Sequence, residues 1–352
     1  MKVAIGGGLS ADEDWDEAAT YVIEAERLGA DSVWSAEAWG LDGATPLAYF
    51  AAKTSRIKLG SGILQTVGRT PANLAMTAMS LASMSNGRFI LGLGASGPQV
   101  VEGWHGVPFS KPVQRMRETI EIVKLIASGE KLAYEGEIFR LPLPGGEGKS
   151  IRIRAQPRPD IPIYLATLSP KSLELTGEVA DGWLGTSFMP EHAGVFLEHI
   201  ERGARKAGRS LGDIDLAVDA AVAFSDDVDR LIDRHRPGIA FTLGAMGSKQ
   251  HNFYNAAFRR AGYDEEAIAV QNKWIEGDRE GAVALVPDEM VLQRNILGSE
   301  DMVRDRIRKY RDAGVTTLRL QPEGRTLEER LNTLGRAVEL VNEVSGEKAT
   351  SA

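Results

Sequence analysis

Two short segments of the 352-residue chain bring together groups whose types and spacing could do chemistry. Residues 92–97 (GLGASG) follow the spacing G-x-G-x-x-G, which clears side chains from a turn so that backbone can close on a ligand. In Ser169-Pro170-Lys171 a hydroxyl cap, a proline and a lysine gather at a helix start, where free amides attract an anion such as phosphate. The same cap is an ordinary structural device where no anion binds. A dinucleotide reading of GLGASG further requires a helix that begins at once and an acidic residue about 20 residues on. Residues 98–106 (PQVVEGWHG) read instead as a loop, with the next helix expected near Lys111 and Pro112.

Other candidates stand alone. Glu37 is an acid able to serve as general acid or to accept a hydrogen bond from a cofactor, and equally able to be simply solvated. Trp39, Trp104 and His105 could wall a pocket for a flat ring, although each taken singly fits packing as well. Five histidines, none of them clustered with acids, and no cysteine leave no pattern for a metal centre, a thiolate nucleophile or a disulfide. A G-x-S-x-G elbow is absent. The net charge of −8, with no basic stripe, argues against nucleic acid as a partner. No apolar run reaches the length of a membrane span and the start turns acidic, so the expected address is the cytoplasm.

The elements that must position these groups alternate β and α. Eight β-branched runs, at 3–6, 32–35, 57–64, 89–93, 163–166, 182–184, 214–221 and 316–320, are each followed by an amphipathic helical window. Eight such units in one chain of this length predict an α/β fold, a single (β/α)8 TIM barrel over residues 1–345. The run 239–243 is expected as helix, with Arg236 and Pro237 as its first turn. Residues 131–160 are expected to form a hairpin-containing insertion after strand four, and 244–297 a helical insertion before strand eight. Residues 346–352 are expected as a frayed tail. In such a barrel, function gathers past the C-terminal ends of strands, where Glu37, residues 62–66, 94–99 and 166–171 all fall.

Several segments taken in order resemble one family. LGADSVWSAEAWG (28–40), the TP and NGRFILGLG pieces within 54–97, VEGWHGVPFSKPVQRMRETIEIV (101–123), EVADGWL (178–184) and AGVTTLRLQP (313–322) are similar to the luciferase-like monooxygenase superfamily, in its branch using the deazaflavin coenzyme F420. The resemblance implies hydride transfer between F420 and a small organic substrate. The alternatives are an FMN-dependent monooxygenase and a non-catalytic F420-binding protein. It places the cofactor on Glu37, Gly62, Ile63, Leu64, Gln65, Gly94, Ala95, Ser96, Gly97, Ala166, Thr167, Leu168, Ser169 and Lys171, with the Gly62–Ile63 peptide cis behind the ring. Catalytic candidates are Glu37 and His105; Trp39, Gln99, Trp104, Asn252 and Tyr254 are assigned to the substrate pocket. The sugar-phosphate and secondary alcohol dehydrogenases of this branch carry a proton-transferring histidine and glutamate where this chain has Ala38 and Gly97, which argues against those activities. A homodimer is also implied.

Overall fold

The computed structural model describes residues 1–7, 14–248 and 252–347. Eight parallel strands pair in chain order: β1 (Lys2–Gly6), β2 (Ser32–Ser35), β3 (Lys58–Ser61), β4 (Phe89–Gly94), β5 (Ile163–Ala166), β6 (Gly182–Gly185), β7 (Asp215–Phe224) and β8 (Thr317–Pro322). β8 pairs with both β7 and β1, which closes the barrel predicted from the sequence. The expected third strand is broken: Lys58–Ser61 gives way at Gly62 and Ile63, and Leu64–Gln65 then pairs with Leu93 and Gly94. A further strand, Ile296–Gly298, pairs with the top of β7; at three residues it is too short to show an alternation in sequence.

Fourteen α-helices are described: α1 (Trp15–Leu28), α2 (Thr45–Lys53), α3 (Pro71–Met84), α4 (Pro98–Gly103), α5 (Pro112–Ala127), α6 (Pro170–Val179), α7 (Gly194–Lys206), α8 (Val228–Gly244), α9 (Phe253–Arg260), α10 (Asp264–Glu276), α11 (Arg279–Ala284), α12 (Asp288–Arg294), α13 (Glu300–Asp312) and α14 (Leu327–Gly346). Their ends follow from local chemistry. Thr70 accepts a hydrogen bond from the Asn73 N–H at 3.2 Å ahead of Pro71, and α1 stops at Gly29, whose φ of 100° is left-handed. Residues 98–103, expected as loop, form α4 directly after Gly97, because a proline at the first helical position gives up only an N–H that would be orphaned anyway. Residues 239–243 are helical as expected, but Pro237 lies inside α8 rather than in its first turn.

The segment between α5 and β5 carries an antiparallel hairpin, Tyr134–Glu135 with Arg140–Leu141; that between α8 and β8 carries α9–α12. The tail expected at 346–352 lies, from residue 348 on, outside the described residues. Among the described residues no helix is long and apolar enough to cross a membrane.

The barrel interior is filled from below. Asp215 at the lower end accepts from Lys2 Nζ at 2.9 Å, Tyr164 Oη at 2.7 Å and Thr317 Oγ1 at 2.8 Å. Above it, Ala4, Trp34, Ile90, Tyr164, Leu184 and Ala217 pack as a cluster, with the Trp34 and Tyr164 rings 5.5 Å apart. A Cβ on Gly60 would overlap the Trp34 ring and one on Gly182 the Tyr164 ring, so these glycines make room for the aromatic plug. What remains open is the upper mouth, where the strands end.

Candidate active site at the barrel mouth

The mouth is lined with backbone rather than side chains. Gly6 at the end of β1 is exposed, and a Cβ there would meet nothing within 4 Å. Opposite it the Gly62–Ile63 peptide is cis, at the position expected for it. A Cβ on Gly92 would overlap the Ser61 carbonyl oxygen, and one on Gly94 would lie 2.9 Å from Ile63 Cδ1. The glycines of GLGASG thus let β4 press against the broken end of β3, a close strand-to-strand approach unrelated to a pyrophosphate turn. Ser96 follows in the left-handed region, φ 59°, a conformation that non-glycine residues hold mainly where surroundings enforce it. Gln99 folds back toward Gly97, while Ala95, Ser96 and Gly97 stay half-buried at the rim.

Glu37 is not a free acid. Its Oε1 receives Arg69 Nη1 at 2.8 Å and the Gln65 N–H at 3.4 Å, and its Oε2 receives the Gly43 N–H at 3.1 Å. Arg69 also pairs with Asp42. Burial acts against both charges, but Glu37 and Asp42 together hold the Arg69 guanidinium above its ordinary value, and hydrogen bonds from Thr45 help hold Asp42 below its own. The Gln65 amide donates to the Ala38 carbonyl at 2.8 Å. A Cβ on Gly68 would lie 3.5 Å from both Glu37 Oε1 and His105 Cε1, so the two catalytic candidates flank one glycine. Gln65 Oε1, Thr66 Oγ1 and His105 Nε2 are buried without a hydrogen-bond partner among the described residues. Such orphaned atoms are uncommon in folded proteins and fit a polar ligand edge.

The β5–α6 turn lies beside Gly94, which is opposite Ala166 in the strand register. Ser169 and Ser172 form a reciprocal capping box, with their hydroxyls 2.8 Å apart. Thr167 Oγ1 is spent on Thr176 Oγ1 at 2.7 Å, and the Thr167 carbonyl accepts from Trp183 Nε1 at 3.0 Å. Lys171 is exposed in the first turn. Sequence inspection missed Arg260 of α9: its Nη2 donates to the Leu168 carbonyl at 2.7 Å, its Nε is buried and unpartnered among the described residues, and burial lowers its pKa. This half-buried cation against a helix N-terminus adds to the attraction for an anion.

The other candidates divide. Trp39 and Trp104 are 55% and 67% exposed at the rim, available to a ligand. Phe109 and Phe253 stack with ring centroids 6.4 Å apart, tying the loop after α4 to α9. Asn252 is not a pocket residue by its contacts: its Oδ1 caps the Asn255 N–H at 2.9 Å and its Nδ2 donates to the Leu243 carbonyl at 2.8 Å. Tyr254 is pushed upward by burial and next by the charge of Asp219, which places it near the inward-facing end of β7. There the structure brings together three charges that sequence inspection passed over. Asp219 accepts from Arg294 Nη2 at 2.8 Å, and Arg319 Nη2 lies 3.9 Å from its other oxygen. Burial opposes the charge on Asp219, but Arg294 and then Arg319 hold its carboxyl below the ordinary value. A signal was present: Asp219 and Arg319 each put a charge in the middle of an apolar strand run, LAVDAAVAF and TLRLQP. Among the described residues no group of His, Cys, Asp or Glu could hold a metal ion.

Known proteins share this arrangement. A Mycobacterium tuberculosis protein, named a "putative coenzyme F420-dependent oxidoreductase", is 38% identical over 326 residues, 90% of this chain and 94% of the relative. The 5,10-methylenetetrahydromethanopterin reductase of Archaeoglobus fulgidus is 32% identical over 302 residues, 84% of this chain and 86% of the relative. The structure of the coenzyme F420 dependent tetrahydromethanopterin reductase from Methanopyrus kandleri superposes with a TM-score of 0.78 at 27% identity, covering 95% of this chain and 97% of that one. The family model for luciferase-like monooxygenases matches residues 1–317, from β1 into β8, and the chain belongs to that family.

Proposed function

We propose that the protein is an oxidoreductase that transfers a hydride between coenzyme F420 and a small organic substrate, reducing an activated C=C, C=N or C=O bond. The observation that carries this reading is the mouth itself: a side-chain-free cradle at Gly6, Gly62, Ile63 and Gly94, with orphaned polar atoms on Gln65, Thr66 and His105 beside it. Names of relatives at 38% and 32% identity support F420 as the group that fills it.

Gly62, Ile63, Leu64 and Gln65 would back the ring, while Ala95, Ser96 and Gly97 border it. Ala166 to Lys171, with Arg260, would hold the cofactor's phosphate. When bound, the deazaflavin supplies a carbon centre that carries a hydride and favours two-electron chemistry over oxygen activation. The chain's own contribution is orientation and exclusion of water, by Trp39, Trp104 and the loop after α4. Glu37 holds the β2 loop through Arg69 and Gly43. Tyr254, raised above its ordinary value, stays protonated at neutral pH and can donate a hydrogen bond to the acceptor atom. His105 Nε2, unpartnered beside Gly68, is a second hydrogen-bonding group on that wall.

Titrating the cofactor-free protein with F420 and with FMN tests the assignment. Tight F420 binding, followed by oxidation of reduced F420 by a member of an enone, imine and ketone panel, is the expected outcome. FMN binding with no F420 binding would point to the monooxygenase chemistry of the same fold, and F420 binding without turnover of any acceptor to a binding protein.

A further inference from the structure

Arg88 shows how this fold satisfies a guanidinium. Its nitrogens make five hydrogen bonds, to the carbonyls of Ser85, Ile57, Ala51 and Thr54 and to Thr54 Oγ1, at 2.6 to 3.1 Å. Arg319 is the opposite case. It projects from β8 into the barrel, directly across from Asp219 in the strand register. Its five N–H donors make one hydrogen bond among the described residues, from Nη2 to the Gly185 carbonyl at 3.2 Å. Its Nε is buried without a partner, and its Nη1 lies 3.6 Å from the place a Cβ on Gly62 would occupy. The side chain therefore crosses the barrel axis beneath the mouth, next to the cis Gly62–Ile63 segment.

The charges around it do not cancel. Asp219 is already held by Arg294, which reaches its carboxylate at 2.8 Å and its carbonyl oxygen at 2.6 Å. At 3.9 Å Arg319 has the outer share of one carboxylate. Two guanidinium groups against one carboxylate leave a single positive charge, in a place where side-chain exposure is only 15%. An unpaired buried charge is expensive, and truncating such a group stabilises a fold unless something else uses it. A guanidinium with two adjacent free N–H edges matches a planar oxyanion, which it binds through paired hydrogen bonds.

We propose that Arg319 receives a negatively charged planar group of whatever fills the barrel mouth, a carboxylate on the substrate or the anionic pyrimidine edge of the reduced cofactor. The choice between these two sources rests on the F420 reading; the anion site itself does not. The experiment titrates benzoate, as a planar carboxylate probe, into wild type, Arg319→Met and Arg319→Lys, with and without saturating F420, and titrates F420 alone.

In wild type benzoate or F420 binds; in Arg319→Met that binding weakens by at least about tenfold, and in Arg319→Lys by less, since the charge remains. Benzoate binding to the F420-loaded protein assigns the anion to the substrate. Benzoate displaced by F420, with F420 itself weakened in Arg319→Met, assigns it to the ring. Because the Asp219–Arg294 pair remains in Arg319→Met, its Tm is expected to equal or exceed that of wild type. A marked fall in Tm, or unchanged benzoate and F420 binding in Arg319→Met, overturns the proposal by making Arg319 structural. Failure of F420 to bind wild type would sink the hydride-transfer reading instead, and the benzoate titration of the cofactor-free protein would still decide the role of Arg319.

Discussion

Glu37 accepts three hydrogen bonds and pairs with Arg69, so its charge is committed to holding the β2 loop against residues 65–69. Loss of a general acid costs a factor of about 10² to 10⁴ in rate. Glu37→Gln is expected to lower kcat by less than about tenfold, while Glu37→Ala, which strands Arg69, lowers stability by about 1–3 kcal/mol. A hundredfold fall in kcat for the glutamine variant with unchanged Tm would restore the catalytic role. Arg260 leads to a second expectation at this scale. Arg260→Ala is expected to weaken F420 by about tenfold, near 1.4 kcal/mol, and to leave the phosphate-free deazaflavin riboside unaffected; equal losses for both ligands would refute a phosphate contact. Strand-end residues such as Gly62, Gly94 and Ser169 were legible in the sequence because the barrel rule fixes where to look. Arg260 and Arg294 were not, because they reach the site from helices whose docking no local pattern specifies, and Asn252 turned out to cap a helix.

Backbone-to-backbone contact sets where α6, and so the capped turn at Ser169, stands. A Cβ on Gly177 would overlap the Ile200 carbonyl oxygen, and one on Gly203 the Glu174 carbonyl oxygen, so α6 and α7 meet without side chains between them. Gly177→Ala or Gly203→Ala is expected to cost about 1–3 kcal/mol and to weaken F420 together with stability, as calorimetry and titration would read. The hairpin after α5 hangs on another single group. Buried Glu118 accepts from Gln114 Nε2 at 2.9 Å and from the N–H groups of Glu137, Ile138 and Phe139 at 2.7 to 3.1 Å. Burial opposes its charge, but these bonds outweigh it and depress its pKa below the model-peptide value of 4.5. A depressed carboxylate contributes stability that is fully present above that value and is lost as pH falls through the folded pKa. Glu118→Gln is therefore expected to lose about 2 kcal/mol near neutrality, by urea denaturation, with the gap to wild type closing in acid. A gap independent of pH would mean the charge is irrelevant. The strands themselves were legible from their β-branched runs, whereas α4 was hidden by a proline and glycines that read as loop, and the Glu118 contact by a span of about 20 positions.

One tier of the molecule joins all parts of the mouth: α9 touches the β5–α6 turn through Arg260 and the loop after α4 through Phe253. The opposite flank is left uncovered. On α3 the residues Asn73, Met76, Ser80, Ser83 and Met84 recur at helical spacing and are exposed, Met76 and Met84 by 56% each, and the helix carries no charge anywhere along its length. On a chain with a net charge of −8, an uncharged stripe with two exposed methionines stands apart from its surroundings. Methionine suits such a face because its unbranched, polarisable side chain adapts to a second surface. A two-fold axis through α3 would lay the stripe against its own copy, burying Met76 and Met84 of both chains in one self-complementary contact. A homodimer by light scattering is the expected result for wild type, and Met76→Glu with Met84→Glu is expected to yield a folded monomer, since like charges would face each other across the axis. A wild type that is monomeric at micromolar concentration, or a double variant that stays dimeric, would move the interface elsewhere or remove it.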